Sequence, residues 1–330
     1  MNRKYEFTGR EKTINDNGKE VVVKQIRAIR RIPLYDVEEG DVGGWIESEE
    51  NLSHDGDCWV KDDAVVYGNA LVSGNALVRD KAVVANRAKI FYFAIVKDDA
   101  RVCGVSSDAP KLAGDPVEAP MVTDYAIVSE QAFIYGRAEI SGHARAFGQV
   151  EVFGRAKVKM HAKVAGAAKI EGYAQVYGSA FVHGQAHLFG DCRVFNDADV
   201  SDEAEISGRS QVHGGTRVGG HAVISGGALL YGGAVNGRAS VTDHACLKDD
   251  AILTGTSRLS GHATLGGNSI VAGHIGLQGK TEVAESVHIS GEGILADAVI
   301  KGWGTLVVEW GTIDWPIYVD RTTENVTGRK

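Results

Sequence analysis

The chain is 330 residues long, with a net charge of −8, 42 glycines, five prolines and four cysteines. No apolar run approaches the roughly 20 residues of a membrane-spanning helix, and a mildly acidic balance argues against nucleic acid as the main partner. The opening MNRKYEFTGREK lacks the apolar core of a signal peptide and the cysteines form no Cys-x-x-Cys pair, so a cytoplasmic chain with free thiols and no metal site is expected.

Residues 1–60 read as an N-terminal β-hairpin and capping segment, with Asp16-Asn17-Gly18 as the hairpin turn. Residues 1–34 carry nine Lys or Arg against four acids, and residues 35–63 carry eleven acids against Lys61. Arg27, Arg30 and Arg31 are therefore matched by nearby carboxylates rather than offered to nucleic acid.

Residues 61–302 read as a β-solenoid. From Ala126 to Leu230 the frame Ala-x-Val-x-Gly-x runs for eighteen units: the first position is Ala in fourteen, the third aliphatic in seventeen, the fifth Gly in fourteen. A helix of 3.6 period cannot hold a six-residue repeat on one face, whereas a strand with two inward residues followed by a tight corner can. The frame also spans Ala64–Val102 and Ala239–Leu295. Three units per coil give an 18-residue period. The expected fold class is all-β: a single-stranded parallel β-helix of about twelve coils with small β caps at both ends. Cys58 and Cys192 fall on inward alanine positions, Cys103 and Cys246 on outward ones.

The frame breaks in three places. A loop insertion at residues 103–121 holds Pro110, Pro116 and Pro120, and units one residue short are read between Ala234 and Ala239 and between Gly293 and Ala298. Residues 303–330, with Trp303, Trp310 and Trp315, read as a Trp-rich C-terminal cap, with a self-association surface as the alternative.

The 18-residue period sorts outward residues into columns. Tyr177, Phe195, His213 and Tyr231 share one; Tyr135, Phe153 and Phe189, interrupted by Glu171, share another. Such columns either stabilise the coils as ladders or form an interaction surface. His143, His161, His221, His244 and His262 all occur as His-Ala at one corner position and read mainly as turn filler. His143 and His161 also lie in the column below Tyr125, directly after the insertion, and are the best candidates for a general base. Asp62, Asp80 and Asp98 share a corner column beside Lys61, Arg79 and Lys97, a neutralised turn ladder rather than a calcium site.

The segments VYGNALVSGNALVRDKAV (66–83) and ISGHARAFGQVEVFGRAKV (140–158) resemble the hexapeptide-repeat proteins of the left-handed β-helix superfamily. The layout of a strand-rich head, then GGWIESEENLSHDGDCWVKDDAVVYGNA (43–70), then a long solenoid is similar to the YdcK-like proteins, and related segments resemble phage genes. The resemblance implies a left-handed triangular coil, a trimer, and acyl-CoA-dependent acyl transfer with a histidine as base. Here Gly comes one residue later than in the enzymes, and right-handed bactofilin-like solenoids also use such repeats.

Two main readings follow. The first is a non-catalytic scaffold or binding protein that acts through its surface, without cofactor, as a homo-oligomer or on a protein partner. The alternative is an acyltransferase using acetyl-CoA on a small hydroxyl or amine acceptor, with His143 or His161 as base. A further alternative is a phage-type inhibitor presenting its acidic surface to a host protein.

Overall fold

The computed structural model describes residues 3–104 and 119–329. The expected insertion therefore lies, from 105 to 118, outside the described residues. The chain divides into two units, residues 1–172 and 173–330. Together they contain about 15 turns of ~18 residues, more than the twelve expected, in an all-β parallel solenoid.

The first unit begins with β1 (Tyr5–Asp16) and β2 (Lys19–Ala28), antiparallel from Tyr5↔Ala28 to Asp16↔Lys19. A third strand, β3 (Val42–Ile46), is antiparallel to β2 but parallel to the strand Val65–Tyr67. The head is thus joined to the first coil by sheet hydrogen bonds. Val21 and Val23 of β2 pack on Val65, Tyr67 and Ala85, each buried valine contributing about 1.5–3 kcal/mol.

From there each strand pairs in parallel with the strand one turn on. Val65↔Val83, Leu71↔Lys89 and Leu77↔Ile95 belong to three stacks, so every such turn carries three short strands. The inward pairs Ala126 and Val128, Ala132 and Ile134, Ala138 and Ile140 are all buried, because alternation along an extended strand sends both members of each pair to the core. Between strands the chain turns at one left-handed residue, such as Gly136 (φ 68°), Gly142 (φ 71°) or Gly154 (φ 68°). Asp98, Glu130 and Met160 take the same conformation without being glycine, at a cost of roughly 1–2 kcal/mol each.

The second unit repeats this pattern with Gln175↔Arg193, Phe181↔Asp199 and His187↔Glu205. Beyond Leu229 the strands lengthen, to Leu229–Val235, Cys246–Leu253, Ser286–Ala296 and Val299–Trp310. The last strand, Ile317–Thr327, lies parallel along Val299–Trp310 from Ile300↔Ile317 to Trp310↔Thr327. These late turns lack the full Ala-x-Val-x-Gly signature, which is why the frame alone undercounts them. Trp303 and Trp310 are exposed, and Trp315 is half-buried with the Arg329 guanidinium 5.7 Å above its ring.

Both short units occur, one of them displaced from its expected place. Leu230 pairs with Val212 but Ala234 pairs with Arg217, so the residue is lost between Leu230 and Ala234. Ala234 mimics an inward alanine in the sequence yet is only half-buried and faces outward, while Val235 is buried. The second loss lies between Leu295 and Ala298, where Leu277↔Leu295 gives way to Glu282↔Val299. Each shortened corner is met by a buried inward threonine of the preceding turn. Thr216 Oγ1 accepts the Gly232 N–H at 2.8 Å and donates to His213 O at 2.6 Å. Thr281 Oγ1 accepts the Ala298 N–H at 3.4 Å and donates to Gln278 O at 2.7 Å.

Candidate functional site

The outward columns form ring stacks. In the first unit, His143 follows the corner residue Gly142, and its N–H donates to Met160 O at 2.6 Å, which fixes the direction of its side chain. Its imidazole lies between Tyr125 (4.9 Å between centroids, 6° between planes) and His161 (5.0 Å, 9°). Phe93 caps Tyr125 at 5.0 Å and 5°. The sequence reading missed Phe93, because the insertion puts Tyr125 32 positions after it instead of 18. Tyr125, His143 and His161 are all exposed.

On another face of the same unit Tyr135 stacks on Phe153 at 4.6 Å and 3°, and the Lys169 ammonium sits 5.1 Å from the Phe153 ring. The Tyr135 hydroxyl donates to Glu151 at 3.4 Å. Burial and that carboxylate push its pKa up to about 12. In the second unit the column Tyr177, Phe195, His213 and Tyr231 stacks at 4.8, 4.5 and 5.9 Å. Burial holds His213 below its ordinary pKa, so the ring is neutral within the stack near pH 7. Phe189 belongs to this second unit and lies 4.7 Å from His187 at 34°.

This geometry bears directly on chemistry. Rings stacked near 5 Å cover each other's π faces and turn their edges outward. The hydrogen bond made by one ring nitrogen sets a histidine's tautomer, and among the described residues neither His143 nor His161 makes a side-chain hydrogen bond or ion pair. Histidine–carboxylate pairs exist elsewhere, in the second unit. His183 Nε2 lies 3.0 Å from Asp199 Oδ1, and His221 Nδ1 lies 3.1 Å from Glu203 Oε2. Neither pair was read from the sequence: His183 and Asp199 are 16 apart and meet diagonally between adjacent turns, and His221 and Glu203 are 18 apart at a corner read only as turn filler.

The acidic corners have a defined structural use. Asp62, Asp80 and Asp98 are all left-handed (φ 57°, 62° and 60°). Asp62 accepts the Asp80 N–H, Asp80 the Asp98 N–H at 3.2 Å, and Asp98 the Glu130 N–H at 3.1 Å. The Lys97 ammonium lies 3.2 Å from Asp98. Each carboxylate thus caps the corner above it. Among the described residues no group of three His, Cys, Asp or Glu could hold a metal ion.

A groove of about 420 Å³ opens where the hairpin tip meets the coil, lined by Asp16, Asn17, Asn86, Arg101, Cys103 and Phe133 among others. The Arg101 guanidinium lies 5.8 Å from the Phe133 ring, and burial pushes the Cys103 thiol up although Arg101 opposes this. Neither His143 nor His161 lines this groove. No described helix is long and apolar enough to cross a membrane. No protein-family model matches the chain, and no curated protein matches it.

Proposed function

We propose that this protein is a non-catalytic β-solenoid scaffold that presents its outward columns to further copies of the chain or to a protein partner. The observation that carries this reading is the column Tyr177, Phe195, His213 and Tyr231, four outward rings aligned coil on coil with Tyr231 37% exposed. An aligned apolar row of this kind is the feature a partner surface buries. The stacking of His143 and His161 inside a second ring column supports a structural rather than a proton-transferring role for both. Kinship with YdcK-like proteins and a left-handed coil belong to the same proposal, on the strength of the repeats at 66–83 and 140–158. A cytoplasmic setting is supported by the four free cysteines.

The test joins light scattering with a thermal-shift series. The expected outcome is an assembled wild type that the double substitution Phe195→Ser, Tyr231→Ser reduces to a smaller species with an unchanged far-ultraviolet spectrum, and no stabilisation by acetyl-CoA. A rise of several degrees with acetyl-CoA, together with acyl transfer that His143→Ala abolishes, would replace this reading with the acyltransferase one.

A further inference from the structure

The head contains a buried nucleophile pair that the ring columns do not use. Lys4 is fully buried, and its Nζ donates to Cys58 Sγ at 3.0 Å and to Gly56 O at 3.2 Å. Cys58 is itself fully buried, on the inward column at the start of the solenoid. The surroundings close over the pair. The Lys4 main-chain N–H donates to His54 Nδ1 at 3.4 Å, Tyr5 stacks on His54 at 4.4 Å, and the Tyr5 hydroxyl donates to Leu52 O at 3.0 Å.

No carboxylate forms an ion pair with Lys4 among the described residues. Burial pulls its ammonium below the ordinary value although Cys58 opposes this, and Arg30 adds to the fall. Burial likewise pushes the Cys58 thiol up although Lys4 opposes it. A buried charge without a matched partner is costly, so burial favours the uncharged form of each group. The Lys4 nitrogen lies 3.0 Å from Sγ, so its amine form is the nucleophile a sulfenic acid at Cys58 would meet first.

We propose that Lys4 and Cys58 are the site of an oxidative cross-link, a sulfur–nitrogen bond formed when a peroxide oxidises Cys58. In the first step the peroxide O–O bond breaks, one oxygen bonds to sulfur to give the sulfenic acid, and the other leaves as water with the thiol proton. In the second step the Nζ lone pair forms the S–N bond, the S–O bond breaks, and hydroxide leaves as a second water with one amine proton. Sulfur is oxidised by two electrons and one peroxide is reduced to two waters. A thiol reductant reverses the link. The product ties the residue preceding β1 to the first coil, so the head gains a covalent fastening under oxidising conditions beyond the sheet hydrogen bonds and packing that hold it under reducing ones.

The experiment treats the reduced full-length protein with hydrogen peroxide and maps its peptides by mass spectrometry. The expected result is a peptide joining Lys4 to Cys58, lighter by about 2 Da than its two parts, released by dithiothreitol. Cys58→Ala, which installs the residue most common in that column, folds and abolishes it; Lys4→Met abolishes it while keeping a side chain of similar length. Hydrogen exchange in Tyr5–Asp16 slows on oxidation in the wild type only. Cys58 left unmodified, or carried to sulfinic acid with Lys4 free, overturns the proposal.

Discussion

Thr216→Val tests whether the shortened corners depend on their inward threonines. The replacement keeps the branched shape but removes the hydroxyl that accepts the Gly232 N–H at 2.8 Å and donates to His213 O. Gly232 is half-buried, so its orphaned N–H costs about 1–2 kcal/mol, in the lower part of the range for such groups. Stability in a solenoid is distributed over neighbouring coils rather than global, which makes local hydrogen exchange the right assay. Exchange at the Gly232 amide should rise about 5- to 30-fold, with little change in turns far from it. Ser210→Ala is the control. Ser210 is equally buried but its hydroxyl only donates, to Ser207 O at 2.6 Å, and that carbonyl keeps the Ser210 N–H. Its effect should stay within about 0.5 kcal/mol. An unchanged Gly232 amide in Thr216→Val, or an equal effect from Ser210→Ala, would refute the reasoning.

Two further outcomes can be measured. A Cβ on Gly104 would lie 1.6 Å from the Asn86 carbonyl oxygen, so Gly104→Ala should lower the melting temperature of the first unit by several degrees, on the order of 1–3 kcal/mol; a melt unchanged from wild type would contradict the contact. Glu139 lies 3.3 Å from the Lys157 ammonium and 3.0 Å from that of Lys159. Burial raises its pKa, but the two lysines outweigh this and hold it below the ordinary carboxylate value. A depressed folded pKa means that its contribution is complete above the unfolded value and lost as pH falls through the folded one. Glu139→Gln should therefore melt below the wild type at neutral pH and converge with it in acid; parallel curves across the range would count against the ion pairs.

The core of the fold was legible because only two positions in six face inward and both are nearly invariant in kind. Ala126 and Val128 suffice to place every equivalent pair in the regular stretch. What escaped was whatever does not repeat. Ala234 carries the right side chain in the wrong register, since an alanine fits an outward row as easily as an inward one. Phe93 was hidden by an insertion that shifts its spacing to Tyr125. Thr216 was visible as an exception to alanine, but its cause was not, because the missing corner residue lies a full turn further on. Lys4 and Cys58 meet across 54 residues with no periodicity to announce them. The column Tyr177, Phe195, His213 and Tyr231 was readable from spacing alone, whereas the stacking of His143 between Tyr125 and His161, with no side-chain hydrogen bond among the described residues, needed coordinates.

The strands on either side of residues 105–118 show how little the register of the coil depends on the number of residues between them. Arg101 pairs with Val83 18 residues back and with Phe133 32 residues on, in the same register. The ladder is in place at Pro120, whose carbonyl accepts the Lys89 N–H at 3.0 Å. Closure entropy grows only slowly with length, each doubling costing about 0.6 kcal/mol. Extra residues placed between Gly104 and Ala119 are therefore expected to leave the register of the turns above and below unchanged, which would make this position a splice port for a foreign peptide.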